Sequence, residues 1–152
     1  MPPLPKTGSS VAKQKIISMV KAYRDNCRQL STAGLQKRFH ALKEETKTAW
    51  VSKQDLLSFF DANPAANSMR IYFAAHDAAT APVSIPEYDG QLTVIFVPAK
   101  AYFGEAGQLK IDDLLTDDGV PGANGFIPGQ GLDDFPLCPP TCPEGDNLEA
   151  DV

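Results

Sequence analysis

The run Gln91–Pro98, QLTVIFVP, constrains this chain more than any other stretch. It is the most apolar segment, and its β-branched and aromatic side chains suit a pleated, buried surface. Its nearest partner is Met69–Ala75, MRIYFAA, where Ile71, Phe73 and Ala75 alternate with Arg70, Tyr72 and Ala74 and so fall on opposite faces of a strand. Two strands alone are marginal in water, so a third strand or helices must cover them.

The preceding segments can supply helices. From Val11 to Leu30, the positions Ile16, Val20, Tyr23, Cys27 and Leu30 recur at steps of four and three, with Lys13, Lys21, Arg24 and Arg28 turned outward, as an amphipathic helix requires. Ser9 or Ser10 could cap its start. Leu35, Phe39 and Leu42 form a second, shorter stripe ending near Glu45. Trp50 and Val51 suggest a short strand within Thr46–Val51. Then Ser52-Lys53-Gln54-Asp55 reads as a capping box before Leu56, Leu57, Phe59 and Phe60, and Asn63-Pro64 ends that helix. Asp89-Gly90 is a turn signal before the central strand, and Pro98 suits its end. These elements give an α+β fold: a small, mainly antiparallel sheet of about three or four strands, with two or three helices on one face.

Composition changes sharply after Phe103. Residues 1–103 carry 13 Lys and Arg against 8 acids, whereas residues 104–152 carry one Lys against 11 acids, together with 8 of the 11 glycines. The chain therefore divides into a disordered leader (1–10), an α+β domain (11–103) and an irregular Gly/Pro-rich acidic C-terminal extension (104–152), with at most a turn of helix at Ile111–Leu115. The extension is not a plain solvating tail, because Phe126, Ile127, Leu132, Phe135 and Leu137 punctuate it. They are candidate interaction anchors, expected in shallow pockets of the domain or of a partner. No window approaches the roughly 18 to 20 apolar residues of a membrane span. The leader lacks an apolar signal-peptide core, which implies a cytoplasmic protein.

The segments WVSKQDLLSFF, MRIYFAAH and YDGQLTVIFVPAK, followed by Cys138-Pro139-Pro140-Thr141-Cys142, resemble a set of small bacterial hypothetical proteins that end near a Cys-Pro-Pro-x-Cys. The resemblance covers roughly residues 48–143. It implies no activity, only that the tail cysteines belong to the architecture.

The chemistry-bearing candidates are few. Cys138 and Cys142 flank two prolines that restrict the turn between them, which suits a disulfide, half of a metal site, or two reduced thiols. A structural zinc needs four ligands, and the missing ones would come from Cys27, His40 or His76. His76-Asp77 could orient an imidazole, but neighbours on a strand face opposite ways, so the expectation is a partly exposed strand-end histidine. Asp112-Asp113 and Asp117-Asp118 lack the ligand spacing of a calcium loop. GxSxG and HExxH are absent, and no cofactor or small-molecule substrate is indicated.

Lys13, Lys21, Arg24, Arg28, Lys37 and Arg38 could form one basic face across two helices, but no nucleic-acid recognition signature accompanies them. The sequence is best read as a noncatalytic interaction module that binds a partner protein or a second copy. The alternatives are a thiol-redox or metal protein using Cys138 and Cys142, and a weak nucleic-acid binder through the basic helices.

Overall fold

The computed structural model describes residues 8–27, 46, 48–123 and 125–138. Strand β1 (Ser9–Val11) leads into helix α1 (Lys13–Cys27). Strand β2 (Thr48–Ala49), helix α2 (Lys53–Ala62) and strand β3 (Ser68–Ala75) follow. A 3-10 turn at Pro86–Tyr88 precedes the long strand β4 (Leu92–Phe103). Strands β5 (Leu109–Asp113), β6 (Gly131–Asp133) and β7 (Leu137–Cys138) complete the described elements. The fold is α+β with a mainly antiparallel sheet, and no described helix is long and apolar enough to cross a membrane.

The main sheet has five strands in the order β1-β6-β4-β3, with β5 pairing the second half of β4. Ala99 of β4 pairs with Ser68 on one side and Asp113 on the other, so β5 continues the side that β6 occupies at Phe96. Strands β2 and β7 form a separate antiparallel pair.

Pro98 lies inside β4, not at its end. Alternation along the strand aims its absent N–H toward the junction between β6 and β5, where little pairing is lost. Its carbonyl accepts from Leu114 N at 2.8 Å.

The alternation of β4 divides the core in two. Ile95 and Val97 pack with Val11, Ile16, Met19 and Ala74 beneath α1. Val94 and Phe96 pack on the other side with Phe59, Tyr88, Phe126, Leu132, Phe135 and Leu137. The helices thus lie on opposite faces of the sheet, and the expectation of one covered face is corrected. An unbroken apolar strand leaves hydrophobic side chains on both faces, and each needs its own cover. Gly131 permits close packing on the α1 side, since a Cβ there would approach Ile16 Cδ1 to 2.8 Å.

Several boundaries shift for identifiable reasons. Ser9 and Ser10 lie in β1, paired with Asp133 and Leu132, and do not cap α1. Asp117 meets that helix end instead, its Oδ1 accepting from Gln14 N at 2.8 Å. The expected helical turn at Ile111–Leu115 is replaced by β5, because the exposed end of β4 offers it a pairing edge. The cap of α2 forms as its sequence predicts: Ser52 Oγ accepts from Asp55 N at 3.0 Å.

Residues 126–137 are built into the domain. Tyr88 Oη donates to the Phe135 carbonyl at 3.1 Å and accepts from Leu137 N at 3.0 Å. Asn63 Oδ1 accepts from Gly129 N at 2.8 Å. Phe126, Leu132, Phe135 and Leu137 are core residues, not occupants of shallow pockets, while Ile127 is half-buried.

Candidate functional site

Two features stand apart from ordinary packing: a buried polar cluster and an exposed apolar face. The cluster begins where β3 ends. His76 N donates to Gln91 O at 2.9 Å, and Gly90 N donates to His76 O at 3.0 Å, which fixes the backbone. The following turn is held by Asp77, whose Oδ1 accepts from Ala79 N at 3.0 Å and Thr80 N at 2.9 Å. The His76 side chain, expected to be partly exposed, is only 2% exposed. Its ring lies 5.7 Å from that of Tyr88.

Asp133 and Asp134 reach the same place from the end of β6. Asp133 is fully buried, and its Oδ2 lies 3.8 Å from His76 Nε2. Its other oxygen, Oδ1, accepts from Thr93 Oγ1 at 3.1 Å. Asp134 Oδ2 accepts from Ser9 Oγ. Each carboxylate is thus tied through one oxygen, while Asp133 Oδ2 and Asp134 Oδ1 have no hydrogen-bond partner among the described residues. Neither ring nitrogen of His76 makes a well-formed hydrogen bond among the described residues, although the Thr80 backbone lies nearby. Among the described non-glycine residues, Asp134 alone has a positive φ, at 59°, a backbone state that costs an L-residue free energy.

Burial dominates the acid–base properties of this cluster. It lowers the His76 imidazole below its ordinary value, against the opposing effects of Asp134 and the nearby Thr80 backbone. Burial, reinforced by the Asp134 charge, pushes the Asp133 carboxyl up to about 7. Both shifts have the same origin, since a charged group loses hydration that its surroundings replace only in part.

The exposed face lies on the α1 side of the sheet. Lys13, Ile16, Ile17, Val20, Lys21 and Arg24 of α1 line a groove of about 670 Å³ with Tyr72, Asp113 and Leu115. Strand alternation carries this face outward from Asp113 along the β4–β5 hairpin through the Ala101/Ile111 and Phe103/Leu109 pairs. Phe103 is 76% exposed and Leu109 59% exposed, and Ile17 and Ile111 also face solvent. Asp25 pairs with Lys21, and Asp113 with Arg70, so the groove's acids are neutralised. Lys13 and Arg24 have no ion-pair partner among the described residues.

The sequence candidates map unevenly onto these features. Lys13, Lys21 and Arg24 are exposed on α1, whereas Arg28, Lys37, Arg38 and His40 lie outside the described residues. Cys138 contributes backbone to β7, but its side chain, that of Cys27, and all of Cys142 lie outside them. The His76–Asp133–Asp134 cluster escapes sequence reasoning because His76 lies more than fifty positions from the two adjacent acids. The only local hint is the placement of two acids inside the apolar run Leu132–Phe135.

Fold and site together define an α+β domain with a closed polar cluster at one end of its sheet and an open apolar face on one side. Comparison with family models, curated proteins and solved structures gave no match.

Proposed function

We propose that this protein is a noncatalytic interaction module whose groove and β4–β5 hairpin receive an apolar, acid-bearing segment of a partner protein. The observation that carries this reading is the set of exposed apolar side chains on one face of the sheet, Ile17 beside the groove and Ile111, Leu109 and Phe103 on the hairpin, with the Arg70–Asp113 ion pair between the two groups. Large apolar side chains gathered on one exposed face cost solubility, and in monomeric proteins such surfaces commonly serve association. Lys13 and Arg24 at the rim, without an ion-pair partner among the described residues, favour a partner carrying carboxylates beside its apolar anchors.

Photoreactive side chains at Ile17 and Leu109, with Val83 as an exposed control, test the reading in cells. Adducts from both positions should map to one acid-bearing peptide of a single partner. Lys13→Glu combined with Arg24→Glu should weaken them. Adducts only with another copy of this chain, or the same adducts from Val83, would remove the proposal.

A further inference from the structure

The His76–Asp133–Asp134 cluster is separate from the groove, and its chemistry is of a different kind. One donor atom from each of the three residues lies within 4.8 Å of the others. From this arrangement of a buried imidazole and two carboxylates, each carboxylate held through one oxygen with the other unpartnered, we infer that the cluster is a site for one divalent transition-metal ion of the zinc class.

The first argument is polar satisfaction. Asp133 Oδ2 and Asp134 Oδ1 are buried with no hydrogen-bond partner among the described residues, and the buried His76 ring has no well-formed hydrogen bond, with only the Thr80 backbone nearby. Folded proteins rarely leave several such atoms together, because each forfeits hydration without replacement. One cation satisfies three of these groups at once. Two carboxylates and a neutral imidazole around a divalent ion also sum to zero charge, which removes the cost of adjacent buried acids.

Orientation supplies the second argument. Thr93 Oγ1 donates to Asp133 Oδ1, and Ser9 Oγ donates to Asp134 Oδ2, leaving the second oxygen of each carboxylate free. Hydroxyl partners of this type orient metal-binding carboxylates. The left-handed backbone at Asp134 lets two successive residues aim at one centre, which regular alternation along β6 would forbid.

The donor set and spacing select the class of ion. Magnesium and calcium favour all-oxygen shells with six or more ligands, so the imidazole points to a transition metal. Zinc bonds of about 2.0–2.2 Å place tetrahedral donors about 3.4 Å apart. His76 Nε2 and Asp133 Oδ2 stand at 3.8 Å. That pair needs a small closure, and the set as a whole, which spans up to 4.8 Å, draws in by about 1 Å on binding. Three protein ligands leave a fourth position for water.

The test uses the full chain with Cys27, Cys138 and Cys142 replaced by serine and with His40→Gln, so that neither a thiol nor the second histidine can hold the ion. After chelation and dialysis, native mass spectrometry with added zinc chloride should show one zinc per chain. X-ray absorption at the zinc edge should show a nitrogen and oxygen shell with imidazole scattering. His76→Gln and Asp133→Asn should each abolish binding in chains that keep their circular dichroism spectrum. Thr93→Ala should weaken binding by about 10- to 100-fold. The absorption measurement needs no cluster variant, so it decides the matter even if those variants fail to fold. No bound zinc, a shell without imidazole, or undiminished binding by folded His76→Gln would overturn the assignment. None of these results bears on the groove, whose cross-links report separately.

Discussion

Two pieces of the Gly/Pro-rich third meet opposite fates. Strand β5 and the tip of its hairpin leave Leu109, Ile111 and Phe103 in solvent, whereas Phe126, Leu132, Phe135 and Leu137 are buried. Composition does not separate them. The difference lies in what each segment pairs with: β5 extends the overhanging end of β4, for the most part past the end of β3, whereas β6 inserts between β1 and β4 above Phe59 and Tyr88. An apolar side chain is core only where another element covers it. Among the described residues, the hairpin is therefore where large apolar side chains stay uncovered.

The comparison can be broken most directly by truncation. Phe135→Ala should cost about 3–5 kcal/mol, as expected for a fully buried aromatic, in chemical denaturation. Phe103→Ala on the hairpin should stay within about 0.5 kcal/mol of the parent. Similar losses at both positions would show that the hairpin is covered in solution.

Acid titration sharpens the contrast inside the buried piece. In chelator, the folded chain keeps the Asp133 proton up to about 7, against 3.8 for the group in its ordinary state. The native state therefore binds the extra proton between these values. The contribution of Asp133 to stability is full at the acid end and is lost as pH rises through 7, with a slope of at most about 1.4 kcal/mol per pH unit. His76 acts in the opposite sense: its lowered value means stability is gained as pH rises toward 6.5. Denaturation midpoints measured between pH 4 and 8 should fall less steeply in Asp133→Asn than in the parent. An unchanged slope would place the titration elsewhere.

Tyr88→Phe removes the hydroxyl that joins Phe135 O and Leu137 N. Leaving that buried amide without its partner should cost about 1–3 kcal/mol. Amide exchange should also accelerate at Leu137, while the hairpin amides keep their rates. Equal acceleration in both regions would mean that they open together. Ser52→Ala is a local control: loss of the α2 cap should cost about 1 kcal/mol. This effect should add independently to that of Phe103→Ala in the double variant.

Much of the fold is legible without coordinates. The apolar run from Gln91, the alternation of Met69–Ala75, the stripe of α1 and the Ser52 cap are encoded within a few residues of one another. Backbone geometry forces the same short-range periods wherever the chain is placed. The continuous hydrophobicity of β4 also contains the two-sided sheet. Reading it as strand without asking about both faces puts the helices on one side.

Tertiary structure decided the remainder. It replaced the expected serine cap of α1 with Asp117, 103 positions away. It also converted four of the tail's five hydrophobic anchors into core and brought His76, Asp133 and Asp134 to one buried point. These outcomes depend on the register of β6 between β1 and β4, where a one-residue slip would turn Asp133 to the opposite face. The sequence alone determined which segments could be strand or helix, because propensity and periodicity are local. Only the folded chain decided which side chains meet, because that follows from pairing across long separations.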